Sequence, residues 1–450
     1  MDVIDIRYKG LSIAALSHKE GETTSRFEYT KDAIDLGIEF SPLKMPLKEN
    51  QIYSFVALNE ETFKAMPGLV ADSLPDDFGN AVLDEWLANQ TERTTSLSPL
   101  ERLQYTGTRG MGALEYFPQH QSTQQASLAD LSVQTLAELA QSVLDSRNGF
   151  AQDIHFTKTH DDPEIMKQML LVGTSAGGAR PKAVLAFDKT FSTVRSGQGD
   201  VPNEFIHYLL KFDGVQERDP AKQTFGDPLG YSAMEYVYHL MANHSKLGAD
   251  IAMEPCHLLP EGNRRHFLTK RFDRIGNEKV HVQTLCAMDH VNYNEPGSYS
   301  YEQIFAMMRK LKLPKEDAIQ LLRRMIFNLV ATNHDDHAKN FSFMIDAVGK
   351  WRLSPAYDVA YSFNPSSEWT KQHWMRLNGK RRGHTRKDIY ALTDKHLPKF
   401  SRALINENVD RVIEAVSHWD RLALEHDVPE KLRSLISKNL KLTRVRFSYF

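Results

Sequence analysis

Cysteine is close to absent, with only Cys256 and Cys286 in the chain and no CxxC pair. That excludes a disulfide framework and a thiolate zinc site, and predicts two buried thiols. Long apolar runs are missing as well: no uninterrupted stretch approaches the ~20 residues needed to span a bilayer. The opening MDVIDIRYKG has no basic start followed by an apolar core, so the expectation is a cytoplasmic protein that does not engage a membrane. Neither sign of charge dominates, because 55 Lys and Arg face 58 Asp and Glu for a formal charge of -3. Any binding to nucleic acid must therefore be local. No GxxxxGK[ST] occurs, which removes a P-loop ATPase, and no repeat recurs at solenoid periods.

What remains is an ordinary globular composition, 41% apolar and 25% charged over 450 residues, enough for two or three domains and at least one large core. The Gln- and Ser-rich PQHQSTQQASLAD, residues 118–130, reads as a linker. Before it, IYSFVAL (52–58) alternates like a strand, and FGNAVLDEWLANQ (78–90) is periodic like a helix after the turn signal LPDD, which together suggest a small α/β module. After it, LADLSVQTLAELAQSVLDSR predicts a helix, and RPKAVLAFD (180–188) with NEFIHYLLKFDG (203–214) predicts a hairpin. SAMEYVYHLMANHSKLG predicts a helix capped by Gly248, and a second hairpin is expected around PEGNRR. From residue 300 the pattern is largely helical, through YEQIFAMMRKL, DAIQLLRRMIFNLVAT, DRVIEAVSHWDRLALEH and PEKLRSLISKNLK.

The densest polar chemistry is NHDDHAKNFSFM, residues 333–344, where the apolar helix carrying Ile319, Leu322 and Leu329 ends. A polar loop with caps is the usual meaning of such a cluster. A metal site on His334, Asp335 and His337 would need further His and Asp ligands from an all-helical domain, which the strands of the middle segment oppose. A phosphoryl-transfer loop places an Asp five residues before a magnesium-binding Asn, with a second metal-binding Asp after a short hairpin. Asp335 and Asn340 are five apart, and FSFMIDAVGKWRLSP leads as a hairpin to Asp358. Upstream stand, in the order such an enzyme requires, the glycine-containing GTSAGGARPK (173–182), Lys211 in a strand, Glu235 in the next helix, and a strand ending at Lys270–Phe272. Taken singly, these are a flexible turn, a solvated strand end, a surface charge and a salt-bridged strand terminus. Their order beside Asp335, Asn340 and Asp358 favours phosphoryl transfer.

With ADSLPDDFG, GMGAL, TSAGGARPKA, LLKF, RFDR, TNHDDHAKNFSFM and RLSPAYDV, the chain resembles the HipA family, bacterial serine/threonine kinases that act as toxins of toxin–antitoxin pairs. The resemblance implies an α+β, protein-kinase-like two-lobed fold with an added N-terminal α/β subdomain. Its parts would be residues 1–117 as that subdomain, 118–130 as linker, 131–274 as the small lobe and 275–450 as the helical C-terminal lobe. It also implies use of Mg-ATP, a HipB-like helix-turn-helix antitoxin, operator DNA bound through the antitoxin complex, and a protein substrate among translation components such as an aminoacyl-tRNA synthetase.

Carried onto this sequence, the resemblance makes Asp335 the catalytic base and Asn340 and Asp358 the magnesium ligands. Gly177, Gly178, Ala179, Arg180, Pro181 and Lys182 become the phosphate loop, Lys211 the phosphate lysine, and Lys270, Arg271 and Phe272 the adenine hinge. His337, Ala338, Lys339 and Tyr357 would line the nucleotide, and Ser175, beside Thr174, would be the autophosphorylated and self-inactivating position. Two departures stand out: the family often has an acidic residue where Lys270 stands, and Gly178 and Pro181 differ from better-known members. A small-molecule kinase of the same fold and an ATP-binding transcriptional co-repressor without catalysis are the rival readings; the intact Asp335, Asn340 and Asp358 disfavour the second.

One basic run is left over. KRRGHTRK, residues 380–387, carries Lys380, Arg381, Arg382, Arg386 and Lys387. Such a run is usually a solvated face, and in this family DNA phosphates are the alternative for Arg381, Arg382, Arg386 and Lys387.

Overall fold

The computed structural model describes residues 2–19, 22–90, 97–120, 131–147, 163–173, 180–216, 227–243 and 245–448. The chain forms two compact units: residues 1–40, 45–232 and 256–282 make the first, and residues 41–44, 233–255 and 283–450 the second.

The first unit holds two antiparallel five-stranded sheets. In one, β1 (Asp2–Tyr8), β2 (Leu11–His18), β3 (Arg26–Tyr29), β4 (Ile52–Tyr53) and β5 (Leu114–Phe117) lie in the order β4-β3-β2-β1-β5. Period-2 alternation sets its faces: in β3, Phe27 and Tyr29 turn into a core with Ile4, Ile6 and Leu16, while Arg26 and Glu28 face water. The strand expected over 52–58 shrinks to two residues, because Val56 is exposed and has no core to enter.

In the second sheet, β6 (Lys182–Phe187), β7 (Val194–Ser196), β8 (Ile206–Lys211), β9 (Cys256–Glu261) and β10 (Arg264–Lys270) take the order β7-β6-β8-β10-β9. β6 is buried at all six positions, as befits a strand flanked on both sides and covered by helices. Val133–Arg147 and Pro163–Gly173 supply that cover, together with Asp77–Gln90, whose Phe78, Val82 and Trp86 join Leu185 and Leu210 in one core. Of the two hairpins expected here, β9 with β10 forms; β6 and β8 do pair antiparallel, with Lys182 opposite Lys211, but the stretch expected only to connect them contributes β7, which pairs with β6 on its other edge.

The second unit is mainly helical. Tyr231–Ala242 begins at the end of the first unit, and its residues from Ala233 onward belong here. That helix stops six residues before Gly248, so the expected C-cap is corrected. Gly248 is needed for space, since an added Cβ would lie 2.1 Å from the Asn243 carbonyl oxygen. Tyr301–Lys310, Lys315–Val330, Arg386–His396, Arg402–Ser417, Trp419–Glu425 and Glu430–Ser448 follow. The helix expected across DRVIEAVSHWDRLALEH is broken at His418. Ser342–Ile345 and Trp351–Leu353 form the short hairpin expected before Asp358. Both cysteines are buried free thiols, and among the described residues no helix is long and apolar enough to cross a membrane.

Candidate active site

The second unit assembles the loop 332–341 at the end of a buried helix. Lys315–Val330 packs Leu321, Leu322, Met325, Ile326 and Leu329 inward, so the chain emerges from the core at a fixed place. Thr332 then takes a left-handed φ of 59°, a costly conformation for a β-branched residue, which turns the backbone out of the helix. Asn333 is held by its side-chain donation to Asn328 Oδ1 at 3.0 Å. The Ser362 hydroxyl donates to Asn333 Oδ1 at 2.9 Å and accepts from the Asp335 N–H at 3.0 Å. These bonds fix the backbone of Asp335 while its carboxylate stays 38% exposed, with His337 Nε2 3.7 Å away.

Five residues on, the Asn340 side-chain amide donates to the Asp335 carbonyl at 2.7 Å. With its nitrogen so engaged, the amide oxygen Oδ1 is the end able to act as a hard ligand. Asn340 and Asp358 line the same cavity of about 20 Å³, together with Arg324, Asn333, Asp336 and Tyr357. Asp358 has a φ of 55°, a second left-handed non-glycine residue beside the loop. Tyr357 donates its hydroxyl to the Lys339 carbonyl at 2.7 Å, and the Lys339 ammonium lies 4.2 Å from the centre of the Tyr293 ring. Asp335, His337, Lys339, Asn340, Tyr357 and Asp358 are thus gathered within one unit. Two oxygen donors of different type, Asn340 Oδ1 and the Asp358 carboxylate, suit magnesium.

Asp336, which the sequence reading passed over, is the structural centre of this loop. Its buried carboxylate accepts from the Tyr301 hydroxyl at 2.7 Å, the Trp374 N–H at 2.7 Å and the Met375 N–H at 3.2 Å, and meets His373 Nδ1 at 3.1 Å. Burial pushes this carboxyl up, but His373 and the hydrogen bonds outweigh it and hold it below its ordinary value. His334 also supports the loop: its ring packs tilted against His373 with centroids 4.1 Å apart, and its Nδ1 meets the Thr370 carbonyl at 2.9 Å.

In the first unit, Lys182 and Lys211 are direct cross-strand partners and both are buried. The Lys182 ammonium lies 3.0 Å from Asp76 Oδ2, and Arg180 Nε lies 3.4 Å from Asp227. Arg271, one of the residues expected at the hinge, is buried and engaged. Its N–H donates to the His207 carbonyl at 2.9 Å, and its Nε and Nη2 donate to Asp273 at 2.8 and 2.7 Å. Asp273 also accepts from Arg274 and from the Gly112 N–H, both at 2.8 Å, and Arg274 donates on to the Gly110 and Gly112 carbonyls. RFDR and GMGAL are therefore one buried network, which occupies these donors of Arg271. Gly112 has a φ of +76°, and a Cβ there would meet the Val282 backbone at 3.2 Å, so both conformation and space call for glycine. Lys270 pairs across the sheet with Tyr208. Residues 174–179, with Thr174, Ser175, Gly177, Gly178 and Ala179, lie outside the described residues.

The basic run is not one surface. Arg386 is buried, donating to the Phe447 carbonyl and pairing with Asp410, which corrects its reading as a DNA contact. Arg381 donates to the His373 carbonyl at 2.7 Å, and Lys380 pairs with Asp388 at 2.7 Å. Arg382 and Lys387 are exposed.

Comparison with known proteins adds to this geometry. Two proteins of Sinorhizobium fredii (strain NBRC 101917 / NGR234), named "Putative kinase Y4mE" and "Putative kinase Y4dM", are 30% and 24% identical to this chain over 126 and 144 residues. Those stretches cover 25% and 31% of this chain and only 30% and 35% of the relatives themselves. The chain is similar in structure to HipA of Shewanella oneidensis MR-1, solved in a complex of that toxin–antitoxin system's HipA and HipB with operator DNA. The TM-score is 0.64 at 17% identity, over 98% of this chain and 96% of that one, and this shows that the two chains share an α+β fold. The HipA N-terminal domain model matches residues 4–117, and the HipA-like C-terminal domain model matches residues 174–421, more than half of the chain. The chain belongs to the HipA family.

Proposed function

We propose that this chain is an ATP-dependent serine/threonine protein kinase, the toxin of a HipA/HipB-type pair. The observation that carries this reading is the 2.7 Å hydrogen bond from the Asn340 amide to the Asp335 carbonyl. It locks the base candidate and a ligand candidate into one loop, with Asp358 on the same cavity.

In this reading the Asp335 carboxylate takes the proton of a substrate hydroxyl, whose oxygen attacks the γ-phosphorus of ATP as the bond to ADP breaks. Asn340 and Asp358 would hold Mg²⁺, which when bound neutralises phosphate charge. Lys339, kept near the loop by Tyr293 and Tyr357, stabilises the charge that develops on the transferred group. His337 and Ala338 line the nucleotide with them. In the first unit, Lys182 and Lys211 meet the phosphates, and the strand end at Lys270, Arg271 and Phe272 serves adenine. Autophosphorylation at Ser175 inactivates the enzyme, because a phosphate adds roughly -1.5 to -2 charges where the ATP phosphates bind.

The partners proposed are a HipB-like antitoxin and, through it, operator DNA, as in the Shewanella complex. The acceptor is a translation-related protein. A small-molecule kinase is the rival, since the catalytic parts do not encode the acceptor. Phosphoproteomics after induced expression separates the two. Protein phosphosites that appear with the native chain and vanish with Asp335→Ala support the protein-kinase reading, and their absence in both strains would return the small-molecule reading.

A further inference from the structure

Lys182 opens a strand that is buried at all six positions. Its ammonium lies 3.0 Å from Asp76 Oδ2, and both side chains are only 4% exposed. Asp76 is itself rigid. Its other carboxylate oxygen accepts the Gly79 N–H at 2.6 Å and its carbonyl accepts the Asn80 N–H at 2.7 Å, at the start of the helix Asp77–Gln90. Burying such a pair is poorly explained by stability, since apolar residues of similar volume commonly do as well or better. The neighbour makes the arrangement more telling: Lys211 lies directly opposite Lys182 on β8, also buried and with its ammonium 5.7 Å from the Phe267 ring centre. Like charges directly opposite across two strands oppose folding.

From this geometry we propose that Asp76, in the LPDD stretch of the N-terminal domain, is a positioning residue for nucleotide. It fixes the Lys182 ammonium beside Lys211, so that both cations are placed before the ATP phosphates arrive. The inference rests on the reading of Lys182 as a phosphate-binding residue. A lysine has four rotatable side-chain bonds, and an ammonium tethered by a carboxylate that also caps a helix does not have to be ordered when nucleotide binds. Burial pushes the Asp76 carboxyl above its ordinary value against the pull of Lys182, as expected of a carboxylate kept in place at a cost. The N-terminal domain would thereby contribute to nucleotide affinity through a residue that touches no nucleotide.

The test measures the dissociation constant of Mg-ATP by titration calorimetry on the full chain, for the native protein, Asp76→Asn, Asp76→Glu, Lys182→Met and the double variant Asp76→Asn/Lys182→Met, with thermal unfolding recorded for each. Asp76→Asn is expected to weaken ATP binding about tenfold or more, as for the loss of a charged hydrogen bond that orients a binding group. Asp76→Glu, which keeps the charge, should recover part of that loss, and the double variant should bind no more weakly than Lys182→Met alone. A purely structural pair would lower the unfolding midpoint of Asp76→Asn and leave ATP affinity unchanged in the folded protein, which overturns the proposal. Should Asp76→Asn not fold, Asp76→Ser takes its place, and native ATP affinity in a folded Asp76→Ser protein overturns the proposal equally. If Lys182→Met binds ATP as the native protein does, the reading of Lys182 falls, and the role of Asp76 falls with it.

Discussion

Two buried carboxylates, one in each unit, hold polar loops by opposite means. Asp273 in the first unit is ringed by charge: Arg271 grips it with two nitrogens, Arg274 with one, and the Gly112 N–H completes the set. Asp336 in the second unit is held mainly by neutral donors, the Tyr301 hydroxyl and the N–H groups of Trp374 and Met375, with the His373 imidazole as its remaining partner. Both carboxyls are kept below their ordinary value, burial raising them and the partners outweighing burial. The difference is in what each leaves behind when removed. Loss of Asp273 strands two buried guanidinium groups, whereas loss of the Asp336 charge strands mainly neutral donors, so the first unit's anchor is more brittle and the second unit's more sensitive to protons.

The largest effect should therefore come from Asp273→Ala. Breaking a buried ion pair by removing one partner costs about 3–5 kcal/mol, and denaturant unfolding should show that loss or an insoluble product. Asp336→Asn keeps the shape and one acceptor and should cost about 1–3 kcal/mol by the same measurement. Equal losses for the two variants would erase the contrast.

Protons should act on the second unit's loop next. Burial, and then His373, push His334 down to about 3 and His384 to about 4. Below pH ~6.5 the unfolded chain takes up protons that these folded imidazoles refuse. By linkage their contribution to stability is complete above that pH and is lost progressively as pH falls, toward about 4 for His384 and about 3 for His334. The share from Asp336, whose folded value is depressed, is lost only as pH falls further, through that value. The unfolding midpoint should be lower at pH 5 than at pH 7, and His384→Gln should narrow that difference; an unaltered difference in the variant would remove His384 from the account.

The smallest effects belong to the basic run. Arg382→Ala and Lys387→Ala, both exposed, should change stability by no more than about 0.5 kcal/mol, while Arg386→Ala loses a buried guanidinium and its packing. If Arg382 and Lys387 touch operator phosphates in the antitoxin complex, each replacement lowers the salt slope of binding by about one. An unchanged slope makes them a solvated face.

The same two regions explain what could be read in the sequence. Asp335 and Asn340 fall within eight residues and a short hairpin leads on to Asp358, but that spacing is weak evidence by itself; the order of the glycine-containing stretch, Lys211, Glu235 and Lys270–Phe272 upstream is what favours the loop. Asp335 and Asp336 are adjacent and chemically identical. What separates them is contact with Tyr301, 35 positions away, and with Trp374, 38 positions away, which no local pattern carries. The Asp273 network joins residues 161 apart, and Asp76 meets Lys182 from a distant stretch of the chain; here RFDR and LPDD were visible as strings but their pairing was not. Hairpins and amphipathic helices were legible because their signal is periodic and short. The strand at 52–58 shrinks because its alternation places Val56 in water beyond Tyr53, and the helix through His418 is interrupted at that one residue.

The most direct test of the account is transfer of radiolabelled γ-phosphate from Mg-ATP by purified protein, comparing Asp335→Ala with Asp336→Asn. The account predicts that Asp335→Ala keeps the native unfolding midpoint and ATP affinity while transfer falls by ~10² or more, and that Asp336→Asn loses stability first. Transfer at the native rate by a folded Asp335→Ala protein would contradict it.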